Sequence, residues 1–177
     1  MKYSDIYRLY STSQPKDAIH QALREVPVDD SDEQYEDRSP LHLACQYGDA
    51  EGVKILLERD AEPNTKDANG STPIHILGRT SAGCADEDKL KEIAVMLIEQ
   101  GANIPRSAKN TTALIECIRN RHFKMAEAII DSGARVNSTD LNGENVLFGF
   151  CAASGDIRRD IRFAKKELDN TVTPKTR

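Results

Sequence analysis

A chain of 177 residues has room for one compact domain or one short array of repeats. Hydrophobic residues make up 38% and aromatics 5%, with no Trp, which is lean for a single globular core yet far from the composition of a disordered chain. The formal charge of −5 argues against general affinity for nucleic acid, which needs many Lys and Arg to displace condensed counterions.

The charge is unevenly spread. Residues 1–88 hold 9 Lys+Arg against 18 Asp+Glu, a net of −9, while residues 89–177 hold 15 against 11, a net of +4. No apolar run reaches the length that spans a membrane, and Met1-Lys2-Tyr3-Ser4-Asp5 opens no signal peptide. Cys45, Cys84, Cys117 and Cys151 are widely spaced, with no Cys-x-x-Cys pair, and read as reduced thiols of a cytoplasmic protein.

In chain order, residues 4–28 predict a degenerate helical pair. Ser4 is a candidate cap for Asp5 to Tyr10, and Pro15 opens a second helix containing Ala18, Ile19, Ala22 and Leu23. Its polar outer positions suit a terminal capping unit. Residues 29–37 then carry six acidic side chains in nine positions. The run lacks the glycine and the downstream glutamate of an EF-hand loop, so a solvated loop is expected, with docking of a basic partner as the other reading.

A repeat follows. Ser39-Pro40-Leu41-His42, Thr72-Pro73-Ile74-His75, Thr112-Ala113-Leu114-Ile115 and Asn145-Val146-Leu147-Phe148 align, with first residues 33, 40 and 33 apart. Ser39, Thr72, Thr112 and Asn145 are good N-cap residues, and Pro40 and Pro73 occupy the first helical position, where a missing N–H costs nothing. Asn69-Gly70 and Asn142-Gly143 are tight-turn signals ahead of two caps. More apolar second helices are predicted at Val53 to Leu57, Leu90 to Ile98 and Phe123 to Ile130. Gly101 and Gly133 end two of them in a position suited to a left-handed cap, whereas the first ends in Asp60-Ala61.

The 40-residue spacing conceals an insertion around Thr80–Lys89, with Asp86-Glu87-Asp88 placed to open the second helix. Asp156 to Leu168 reads as an amphipathic helix, a C-terminal cap with Arg158, Arg159, Arg162, Lys165 and Lys166 outward, and 170–177 as a loose tail.

The stretch Asp67-Ala68-Asn69-Gly70-Ser71-Thr72-Pro73-Ile74-His75 resembles the opening signature of the ankyrin family, and Gly133-Ala134-Arg135-Val136-Asn137 its closing one. The resemblance covers residues 34–164 and implies an all-α ankyrin-repeat solenoid. Helix-turn-helix units with β-hairpin or turn tips would fill 34–66, 67–106, 107–139 and 140–169, about four repeats behind a degenerate cap and acidic loop at 1–33. It also implies that His42 and His75 tie adjacent loops together by hydrogen bonds.

No catalytic constellation emerges. His42-x-x-Cys45 lacks the second ligand pair of a zinc site, and Cys45, Cys117 and Cys151 fall where small buried residues are expected. Gly78 to Gly83 fits neither a phosphate-binding loop nor a nucleophile elbow. No cofactor, metal, nucleic acid or membrane is implied.

The family resemblance instead implies a protein partner, bound by hairpin tips and by a concave palm of first helices. Carried over by position, the tips are Tyr35 and Arg38, then Ala68, Asn69 and Ser71, then Lys109 and Thr111, then Leu141 and Glu144. The palm positions are Gln46 and Tyr47, Arg79 and Thr80, and Arg119 and Asn120. A scaffold or adaptor is the reading favoured. The alternatives are an accessory or targeting subunit of an enzyme, and a monomer that weakly self-associates through its acidic start and basic end.

Overall fold

A computed structural model describes residues 1–80, 86–103 and 112–134 of the chain. Among them are eight α-helices in four pairs, joined by turns, with no strand. The pairs are α1 (Tyr3–Ser11) with α2 (Lys16–Glu25), α3 (Pro40–Gln46) with α4 (Ala50–Leu57), α5 (Pro73–Gly78) with α6 (Glu87–Glu99), and α7 (Ala113–Arg119) with α8 (Phe123–Asp131). First helices stack on first helices, α1 on α3 on α5 on α7, and second helices on second helices. Each pair is too small to bury its own apolar face, so the core is continuous across the stack, as repeat architectures require.

That core is built from aliphatics at helical spacing. Leu41, Leu43 and Ala44 of α3, Val53 and Leu56 of α4, Ile74 and Leu77 of α5, and Leu90, Ile93, Ala94 and Leu97 of α6 are all fully buried. Small residues bring neighbouring units close. A Cβ on Gly78 would meet the Ala113 carbonyl at 3.1 Å and Cys117 Sγ at 3.3 Å, so α5 and α7 approach nearly backbone to side chain. Cys45 and Cys117 are fully buried, and burial pushes both thiols well above the usual range, which suits them to packing and not to attack.

Helix starts follow two designs. At Ser39 and Thr72 the residue three positions on is histidine, whose Nδ1 lies 2.9 Å from the cap hydroxyl and accepts the cap's backbone N–H. The third repeat has Ile115 there, and the Thr112 hydroxyl accepts the Ile115 N–H directly at 3.3 Å. The first helix departs from expectation: it begins at Tyr3, two residues earlier than a Ser4 cap would place it, because the Asp5 carboxylate accepts the Lys2 N–H at 2.9 Å and fixes the start. The second helices run Ala50–Leu57, Glu87–Glu99 and Phe123–Asp131, a few residues beyond the predicted cores.

Gly101 and Gly133 take the left-handed conformation at φ 85° and 90°, and Asp60 takes it at φ 62° without being glycine. The acidic turn at α6 is formed as predicted, with Asp86 Oδ1 accepting the Asp88 N–H. The predicted fourth repeat, the C-terminal helix, the tail, Cys84 and Cys151 lie outside the described residues.

Candidate interaction surface

The first-helix layer and the loops ahead of it form the face on which the predicted residues fall. Those loops are locked to one another by backbone geometry. Asp67 Oδ1 accepts the N–H groups of Asn69 and Ser71 at 2.9 and 2.8 Å, Gly70 turns at φ 66°, and the Ala68 N–H reaches the Glu36 carbonyl of the preceding loop at 2.8 Å. His42 completes the tie. Its Nδ1 accepts from Ser39, so its proton sits on Nε2 and is donated to the Ser71 carbonyl at 3.0 Å. Burial lowers the His42 pKa to about 4, so the ring is neutral as this relay demands.

Within this frame the site residues separate by exposure. Tyr47 is 40% exposed, the most exposed large hydrophobic residue among the described residues apart from Met1. Its ring stacks on Tyr10 with centroids 4.8 Å apart and planes 13° apart. Gln46, beside it, accepts a 2.8 Å bond from Arg38 Nη1. Arg38 also pairs with Glu36 and lies 3.7 Å from the buried Asp67 carboxylate. Tyr35 is half-buried, its ring 4.3 Å from Tyr7 and 5.7 Å from Tyr3. Ala68 and Arg119 are exposed, and Asn69 is half-exposed at the turn.

Three predicted contact residues are committed internally. Ser71 is wholly buried: its N–H goes to Asp67, its carbonyl to His42 and its hydroxyl accepts Arg79 Nη1 at 3.1 Å. Thr80 is buried at the C-terminal side of α5, its carbonyl 2.6 Å from His122 Nε2. Asn120 is half-buried and donates to the Gly78 and Glu116 carbonyls, both at 3.0 Å. Ser71 and Thr80 therefore shape the face without presenting atoms to it. Arg79 is intermediate: Nε donates to Glu116 at 3.1 Å, which joins α5 to α7. Lys109, Thr111, Leu141 and Glu144 lie outside the described residues.

Sequence reasoning missed the contribution of α1. Tyr7 of the terminal pair extends the face toward the N-terminus, and the buried Tyr3 and Tyr10 underlie it. A compositional signal was present, since all five tyrosines of the chain fall at 3, 7, 10, 35 and 47. On the opposite, second-helix side a groove of about 310 Å³ is lined by Lys16, His20, Asp49, Lys54, Lys89 and Met96 among others. No group of three or more His, Cys, Asp or Glu that could hold a metal ion occurs among the described residues, and no helix there is long and apolar enough to cross a membrane.

Stacked antiparallel helix pairs, tied tip to tip by buried histidine and aspartate, define a helical repeat solenoid. The repeats are ankyrin repeats: residues 22–77 match the family described as ankyrin repeats (many copies). The chain is 34% identical over 107 residues to neurogenic locus notch homolog protein 1 of Xenopus tropicalis, which is 60% of this chain and 4% of that protein. It is 29% identical over 124 residues, 69% of this chain, to 10% of the ankyrin repeat protein nuc-2 of Neurospora crassa. It is also 31% identical over 115 residues, 62% of this chain, to 9% of mouse Rabankyrin-5. The chain thus spans no more than a tenth of the length of these relatives.

Proposed function

We propose that the chain is a protein-binding scaffold whose concave face, built from the first helices and the loops ahead of them, receives a protein partner. The observation that carries this reading is Tyr47. Apart from Met1, the large apolar side chains elsewhere among the described residues are buried or half-buried, yet this ring stands 40% exposed and stacked on Tyr10. Tyrosine so placed combines large contact area with little rotamer entropy to lose, which is why it recurs as an interface anchor. Ankyrin repeats generally mediate protein–protein contacts, and the half-buried Gln46 and the exposed Arg119 supply polar surroundings.

The test pairs Tyr47→Ala with Arg119→Glu, both at exposed positions, and compares proteins captured from the native cell by wild type and by the folded double variant. Loss of a specifically captured protein is expected. Capture unchanged in a variant with wild-type circular dichroism and melting would remove the concave face from consideration. Arg79→Ala is a poor choice for the same purpose, because it also cuts the tie to Glu116.

A further inference from the structure

The exposed face is not uniform. At its N-terminal end the five tyrosines form a ladder in two parts: Tyr3 and Tyr7 both contact Tyr35, and Tyr10 stacks on Tyr47. Tyr7, Tyr35 and Tyr47 each present part of a ring to solvent. The loop that carries Tyr35 is the acidic run, with six Asp and Glu against a single Arg over residues 29–38. Asp29, Glu33 and Glu36 are exposed, and Asp32 and Asp37 half-exposed.

Aromatic faces carry a negative quadrupole, and carboxylates beside them deepen the attraction for a cation. Burial raises the Tyr3 pKa and the Arg38 charge offsets part of that rise, while Arg38 is itself answered by Glu36 and Asp67. The Tyr3 hydroxyl is buried, 1% exposed, with no hydrogen-bond partner among the described residues, so Tyr3 underlies the exposed rings and is not itself open to a ligand. Arg8 follows Tyr7 by one position and so points about 100° round the helix, away from the ring's own direction.

From this arrangement we infer that the tyrosine ladder and its acidic rim bind an arginine-rich segment of a protein partner, the guanidinium planes stacking on Tyr47, Tyr7 and Tyr35. Arginine is favoured over lysine because its planar, weakly hydrated head stacks on a ring while its N–H groups still reach carboxylates. This rests on the reading of the concave face as a protein-binding surface and names the chemistry of what it takes.

The probe is a short fluorescent peptide alternating arginine with serine, titrated against the full chain by anisotropy, beside the same peptide with citrulline for arginine. Binding of the arginine peptide that weakens with added salt, and none of the citrulline peptide, is expected. Tyr47→Phe keeps the ring face and should bind as wild type, whereas Tyr47→Leu keeps apolar area without the quadrupole and should bind about tenfold more weakly. Equal binding of both peptides, or equal binding by the Phe and Leu variants, overturns the inference. If the arginine peptide fails to bind while capture of a native partner still depends on Tyr47, the cationic partner is wrong and the concave face stands.

Discussion

Two joints in the stack do the same mechanical job with different chemistry. Between the second and third helix pairs the ties run through motif residues and backbone: His42 to the Ser71 carbonyl, the Ala68 N–H to Glu36, and Asn64 exchanging bonds with the Gly101 carbonyl and the Asn103 N–H at 3.0 and 2.7 Å. Between the first and second pairs the ties are side chains with no counterpart in the repeat. Asp49, buried, accepts from the Tyr10 hydroxyl at 2.8 Å and from His20 Nε2 at 3.0 Å. Arg59 reaches back to the Leu23 and Val26 carbonyls, occupying the free end of α2. A neutral backbone-anchored joint can be copied from unit to unit, whereas a buried carboxylate with two donors is particular to its place and is strongly harmed by removal of one partner.

The largest effect that separates the joints is pH. His42 has its pKa lowered to about 4 by burial, while an unfolded histidine titrates near 6.5. The unfolded chain therefore binds the extra proton first as pH falls. The contribution is full above about pH 6.5 and is lost progressively down to about pH 4, a change of about 3 kcal/mol for this group. Denaturant unfolding at several pH values should show it as a slope present in wild type and reduced in His42→Gln, which can still accept the cap N–H but does not titrate. Parallel curves for the two proteins would mean that His42 is not the source.

The next effect addresses the first joint. A Cβ at Gly52 would lie 2.6 Å from Asp49 Oδ2 and 2.9 Å from both the Tyr10 hydroxyl and Leu23 Cδ1. Gly52→Ala should therefore cost about 2 kcal/mol despite alanine's better helix propensity, because the carboxylate must leave its donors. Tyr10→Phe alone should cost about 1 kcal/mol, and much less in the Gly52→Ala background, where the bond is already broken. Additive costs in the double variant would show that the glycine serves packing alone.

The same comparison shows what the sequence makes legible. The second joint is legible because its residues recur: Ser39 and Thr72, Pro40 and Pro73, His42 and His75 announce a helix start at a 33-residue interval, and the ankyrin resemblance implies the loop tie. The helix pairs and the left-handed glycines followed from the same periodicity. The first joint was not readable, since Tyr10, His20, Asp49 and Arg59 each occur once and meet only through folding. On the first-helix face, position within the repeat indicates Tyr47 and Arg119 as surface residues, yet it also picks Ser71 and Thr80, which are buried and bonded to Asp67 and His122. Tyr7 has no repeat position to mark it, because the terminal helix pair carries no motif.

The smallest effect isolates backbone from packing. Asp60 and Gly101 close the second helices of successive units, both left-handed at φ 62° and 85°. A Cβ on Gly101 would meet nothing within 4 Å, so Gly101→Ala reports conformational strain with no steric contribution, and a loss of about 1 kcal/mol is expected. Asp60→Gly runs the other way. It relieves the left-handed strain but frees the unfolded chain, and the two oppose each other, leaving a gain of about 0.5 kcal/mol. Equilibrium unfolding of both variants against wild type gives the two signs. If Asp60→Gly instead destabilises by as much as Gly101→Ala, the aspartate is held at that φ by contacts worth more than the strain, and the closing turns of the two units differ in chemistry as fully as their joints do.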